Sequence, residues 1–182
     1  MTTSPADALV VNVAGLLGDP PGAHRDLAVD GVRIDLGPDL VQASPLEVRA
    51  RIARTNRGVI VSGGVRTSLA DTCSRCLVAL EVSLDVPVDE EVLPSIELAS
   101  GLPLDTTAEP EAHRLSDHHE LNLEPLAREA IQLAAPIAPV CRVECRGLCP
   151  ECGVDLNAGP HDHGEAPVDP RLAKLRDFKV DE

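Results

Sequence analysis

Aromatic side chains are almost absent from this chain: among 182 residues there is one Phe, at position 178, and no Trp or Tyr. Single-stranded nucleic acids are commonly bound by stacking bases on such rings, so that mode of readout has no support here. Lysine is scarce too, with Lys174 and Lys179 the only two. Lys and Arg together number 16 against 30 Asp and Glu, a formal charge of −14. That balance opposes a general phosphate-binding footprint and favours basic proteins as partners. No run of eighteen apolar residues occurs, and Met1 to Ala8 lacks a basic stretch followed by an apolar one. Neither a membrane span nor a signal peptide is expected, which implies a cytoplasmic protein. Phosphate-binding loops, dinucleotide fingerprints and nucleophile elbows are also missing, so neither an enzyme nor a small-molecule substrate is indicated.

The length suits one domain with a real core. Residues 9 to 44 mix short apolar runs with the turn signal Gly18-Asp19-Pro20-Pro21-Gly22 and predict one or two short strands and loops. From 45 to 93 the pattern is that of an antiparallel meander. Val48, Ala50 and Ile52 alternate with Arg49 and Arg51, Thr55-Asn56-Arg57-Gly58 supplies a turn, and Val59 to Leu69 run on extended, with a bulge expected at Gly63-Gly64. Val78, Leu80, Val82, Leu84, Val86 and Val88 then mark one face of a further strand, opposite Glu81, Ser83 and Asp85.

Residues 94 to 120 read as an acidic, flexible loop in which Arg114 is the one Lys or Arg. A helix is predicted over 121 to 136. Asn122 can accept hydrogen bonds from first-turn amides, Pro125 is tolerated only that early, and Leu123, Leu126, Ala130, Leu133 and Ala134 fall on one stripe before Pro136 ends it. Residues 141 to 157 form a cysteine-rich segment. The tail, 158 to 182, carries a short helix begun by Asp169-Pro170 with Leu172, Leu175 and Phe178 on one face.

The six cysteines are the chemical signal. In a reducing compartment, clustered cysteines are metal ligands or redox centres more often than disulfides. Cys73-Ser74-Arg75-Cys76 and Cys149-Pro150-Glu151-Cys152-Gly153 are each C-x-x-C, and two thiolates three positions apart in a tight turn can converge on one ion. The expectation is a single structural zinc held by Cys73, Cys76, Cys149 and Cys152, tying the hairpin to the segment after the helix. Cys141 and Cys145 are alternates for either pair, and iron fits four thiolates as well. His161 and His163 are read as part of a polar tail, and a second independent site is not expected. His118-His119-Glu120 is read as a solvated loop. Redox use of a C-x-x-C dithiol is the competing possibility, although a thioredoxin-like pair opens a helix and neither pair here does.

In its order of motifs the chain resembles the YceD family of large-ribosomal-RNA-subunit accumulation proteins. The resemblance rests on "VSGGVRTSLADTCSRCLVALEVSLDVPVDEEVLP", a helix in "LNLEPLAREAIQLAAPIAP", then "CRVECRGLCPECGVDLN" and "DPRLAKL". It covers about residues 45 to 182, with weaker similarity at "VVNVAGLLGDPPGAHRDL". It implies a small bacterial cytoplasmic protein, with relatives in plastids, that supports accumulation of 23S ribosomal RNA and is often encoded beside a large-subunit ribosomal protein. It also makes Cys73 and Cys76 the safest ligand positions.

The sequence therefore predicts a single α+β domain over 1 to 182: an antiparallel sheet packed by one main helix and closed by a four-cysteine zinc site. Its expected role is a non-enzymatic factor in large-subunit biogenesis that binds a basic ribosomal protein or an assembly intermediate, with any effect on rRNA indirect. The alternatives are a thiol-based redox regulator and a zinc protein that binds RNA directly through Arg142, Arg146 and the basic tail.

Overall fold

Alternation of apolar and charged side chains carries directly into strand pairing. The computed structural model describes residues 8–163. In chain order its elements are β1 (Val10–Asn12), α1 (Ala14–Gly18), β2 (His24–Val32), β3 (Val41–Gln42), β4 (Leu46–Arg54), β5 (Val59–Thr72), β6 (Ala79–Val92), β7 (Glu120–Asn122) and α2 (Glu124–Ala134). The result is mostly antiparallel sheet with two helices, α+β in character. The tail helix predicted around Asp169 to Phe178 lies outside the described residues. Among the described residues no helix is long and apolar enough to cross a membrane.

The main sheet runs β2-β4-β5-β6. Along one edge β5 pairs with β4 from Val59 to Arg66 and then with the short β3 at Leu69 and Ala70. Its other edge pairs with β6 in unbroken register from Val59↔Val92 to Thr72↔Ala79. A small second sheet joins β1 to β7. In β6 the expected alternation holds: Val86, Val88 and Val92 are buried, while Glu81, Ser83 and Asp85 are exposed. Charged residues on the solvent face pair across strands, as in Arg51 with Asp26 at 2.8 Å and Arg66 with Asp85 at 2.8 Å.

The bulge expected at Gly63-Gly64 is absent, since both ladders of β5 pass through these residues without a shift. The glycine is needed for a different reason. A Cβ on Gly63 would lie 2.1 Å from the Arg49 carbonyl oxygen, so only a residue without one lets β4 come this close. At Gly64 the nearest atom would be 3.4 Å away.

One apolar cluster holds the fold. Val48, Ile52, Val61, Val65 and Val88 of the sheet join Leu123, Leu126, Ala127 and Ile131 from α2 and Leu16 and Leu17 from α1. The helix begins as expected, with the Asn122 side-chain oxygen accepting from the Glu124 amide at 3.0 Å. Its buried stripe is rotated from the predicted one. Leu126, Ala127 and Ile131 face inward, whereas Leu133 is 89% exposed. The i, i+4, i+8 row through Leu123, Ala127 and Ile131 wins because it meets the sheet over β6 and β5.

Residues 94–119 form neither helix nor strand, yet they are fastened to the fold. Leu93 donates to His113 and Leu115 donates back to Leu93, each at 2.9 Å, and Leu115 is buried. His118 and His119 sit in the turn before β7, where the His119 carbonyl accepts from Val13 at 2.9 Å.

The two neighbouring glycines should separate in a denaturant titration. Gly63→Ala should cost about 1–3 kcal/mol through overpacking, and Gly64→Ala should lie within about 1 kcal/mol of wild type.

Candidate metal centre

Among the described residues hairpin β5–β6 is the longest, and its tip is the turn Cys73-Ser74-Arg75-Cys76-Leu77-Val78. The Cys73 amide donates to Val78 at 2.8 Å and the Leu77 amide donates to Cys73 at 2.9 Å. Residues 149–154 repeat this pattern: the Cys149 amide donates to Val154 and the Gly153 amide to Cys149, both at 2.8 Å. Each C-x-x-C is therefore the same knuckle, with both thiols turned to one side. The residue after the second cysteine takes a left-handed conformation in each, φ 60° at Leu77 and φ 75° at Gly153. Glycine suits that conformation and leucine is strained in it.

The knuckles do not share a site. Cys73 and Cys76 converge with Cys141 and Cys145, all four sulfur atoms lying within 4.8 Å of one another. Cys149 and Cys152 gather instead with His161 and His163. The four positions expected to act together, Cys73, Cys76, Cys149 and Cys152, are thus divided between two groups, with the alternates completing the first.

Hydrogen bonds account for the division. Ser74 donates its amide to the Pro139 carbonyl at 2.8 Å. The Arg75 guanidinium donates to the carbonyls of Val143 at 3.2 Å and Cys145 at 2.9 Å. The chain leaving α2 is thereby laid along the hairpin tip, bringing Cys141 and Cys145 to it first. Gly147 then turns the chain away. Its φ is 76°, and a Cβ there would lie 2.9 Å from the Arg75 carbonyl oxygen.

The first group has the chemistry of a closed thiolate site. Cys73 and Cys145 are buried. Cys73 lies 3.9 Å from Cys145 and Cys76 lies 3.7 Å from Cys141, sulfur to sulfur. A tetrahedron with zinc–sulfur bonds of about 2.3 Å needs separations of about 3.8 Å. The Cys141 amide points at the Cys73 sulfur, 3.4 Å away, and the Asn157 side-chain amide at the Cys145 sulfur, 3.6 Å away.

The thiols are strongly unequal. The Cys76 amide, aided by those of Cys141 and Arg75, holds Cys73 down at about 6 against the opposing effect of burial. Desolvation, then the neighbouring thiols, push Cys141 up to about 12, although the residue as a whole is exposed. Cys149 is also held at about 6, chiefly by the Cys152 amide. Within the first group Cys145 is lowered as well and Cys76 raised, so two of its four thiols favour the charged form and two the neutral one. A divalent ion fits that donor set.

A β-hairpin clasped at its tip by a cysteine-rich segment, with four thiols close enough together that they could hold a metal ion, makes this a small α+β protein with a candidate metal centre. The chain belongs to the YceD family: residues 61–179 match the family described as Large ribosomal RNA subunit accumulation protein YceD. Uncharacterized proteins of Mycobacterium tuberculosis and Mycobacterium bovis are each 34% identical over 175 residues, covering 93% of this chain and 81% of theirs. An uncharacterized protein of Mycobacterium leprae is 30% identical over 136 residues, covering 74% of this chain and 59% of its own. No solved structure matches the chain significantly.

The two knuckles should respond oppositely to matched changes. Gly153→Leu should destabilise by about 1–2 kcal/mol by imposing the left-handed penalty. Leu77→Gly should be neutral or slightly stabilising, because relief of strain offsets the greater freedom of the unfolded chain. Thermal melts at fixed metal concentration would measure both.

Proposed function

We propose that this protein is a non-enzymatic cytoplasmic factor in large-subunit ribosome biogenesis. It supports accumulation of 23S RNA indirectly, by holding a basic ribosomal protein or an assembly intermediate. Family membership carries the ribosomal role. The surface supports the choice of partner. A groove between β6 and α2 has a floor of Val86, Val88, Leu126 and Ala130, with Leu133 beside it. Asp89, Glu90 and Glu129 rim it. An apolar floor with an acidic rim suits a basic, amphipathic segment, and the net charge of −14 steers such a partner toward it.

In this reading Cys73, Cys76, Cys141 and Cys145 hold one structural zinc that fixes the cysteine-rich segment against the hairpin. A redox role for the C-x-x-C pairs is less well supported, since one lies in the β5–β6 hairpin turn and the other in a turn closed by the Leu148–Asp155 bridge, neither at the start of a helix.

Reversing the rim charges tests the partner. Glu90→Lys combined with Glu129→Lys should weaken binding of purified basic large-subunit proteins by roughly tenfold or more, and wild-type affinity should fall as salt rises. Tight binding of naked 23S fragments at physiological salt, with no affinity for any large-subunit protein, would overturn the proposal.

A further inference from the structure

The core cluster and the hydrophobic residues packed on it end at Ala135. In residues 141–163 the only buried residues are Cys145, Gly147 and Cys149; Val143 is 80% exposed and Val154 43% exposed. Apolar burial therefore cannot order this segment. The cysteine-only group pins its first part through Cys141 and Cys145. From Cys149 onward the chain needs a core of its own.

We propose that Cys149, Cys152, His161 and His163 bind a second metal ion of the zinc class, separate from the four-thiol site. Their four donor atoms lie within 4.8 Å of one another. The Cys149 sulfur is 3.2 Å from Nε2 of His163, and the Cys152 sulfur is 3.2 Å from Nε2 of His161. The two imidazole nitrogens face each other at 2.6 Å, closer than the about 3.3 Å that zinc–nitrogen bonds of about 2.0–2.1 Å set in a tetrahedron. Rotation of either ring opens that gap. Two sulfurs and two imidazoles converging from four directions form the donor set of a structural Cys2His2 site.

Local geometry explains how each pair reaches the ion. The knuckle turns both thiols to one side. In His161-Asp162-His163 the two rings are turned to one point, their centroids 4.4 Å apart. Nδ1 of His163 faces a Glu151 carboxylate oxygen at 3.4 Å. A carboxylate on the far nitrogen is the common outer partner of a metal-bound histidine, fixing the tautomer that leaves Nε2 free to ligate. Glu151 lies between the two cysteines, so the knuckle supplies two ligands and the group that orients a third.

The two sites differ in access. Cys73 and Cys145 are buried in the four-thiol group, whereas Cys152, His161 and His163 are exposed. The second ion should therefore exchange with solvent chelators faster than the first.

Metal content of the full chain purified without added metal, with zinc and cobalt(II) titrations, tests the inference. Two equivalents of zinc per chain are expected, released by a colorimetric chelator in two phases. His161→Asn with His163→Asn should leave one slowly released equivalent, with a cobalt spectrum of four-thiolate type. His163→Cys, which keeps a ligand at that position, should restore two. A single equivalent in wild type, unchanged by the histidine substitutions, would overturn the second site and leave the first standing. One equivalent lost in both Cys73→Ser and Cys149→Ser would also overturn it, placing both knuckles on one ion. No metal in any preparation would overturn both sites.

Discussion

Four thiol groups brought within van der Waals range of one another, where little apolar surface surrounds them, form the constraint on which this architecture turns. Such a cluster is unfavourable as four neutral thiols left unpacked and worse as four thiolates. It is favourable around a divalent cation, where structural zinc contributes roughly 10–16 kcal/mol of apparent binding free energy in finger peptides. The long hairpin arm, the path of the chain after α2 and the left-handed Gly147 all serve to place those sulfurs.

The protein is thus built from two kinds of core. From Leu9 to Ala135 the organising force is hydrophobic: alternating strands present one face, and α1, α2 and the small β1–β7 sheet cover it. Among the described residues beyond Ala135 the buried ones are Cys145, Cys149 and Gly147 between them. Arg75 spans the junction, donating to backbone carbonyls of the cysteine-rich segment while its own carbonyl accepts from Leu148 at 3.0 Å. Together with Ser74, whose amide and hydroxyl both donate to the Pro139 carbonyl, it holds the two halves in register.

This division bears on the ribosomal role. The hydrophobic half presents the acidic-rimmed groove of β6 and α2, and the cysteine-rich half presents Arg142 and Arg146, both exposed, at the hairpin tip.

Much of the fold was legible because period-two alternation is a local property. Val48, Ala50, Ile52 and the Leu80–Val88 series marked strand positions and inward faces without any knowledge of partners, whereas Val78 lies in the turn before β6 and is 51% exposed. The start of α2 was equally local, written in Asn122 and Pro125. The rotation of its buried stripe was not, because Leu133 and Ile131 differ only in what lies opposite. Likewise Gly63 signalled a special backbone position, but only the approach of Arg49 and Ala50 shows that it is a close contact and not a bulge.

The ligand sets divide along the same line. By itself the sequence determined that two C-x-x-C knuckles exist and that a cysteine group joins the hairpin to the segment after the helix. A histidine pair two positions apart, beginning nine positions beyond Cys152, was the available signal for a second group. Which cysteines meet was decided only in the tertiary structure. Pairing across 65 or more residues depends on where Ser74 and Arg75 capture the returning chain and where Gly147 releases it, and spacing along a chain carries no information about that path.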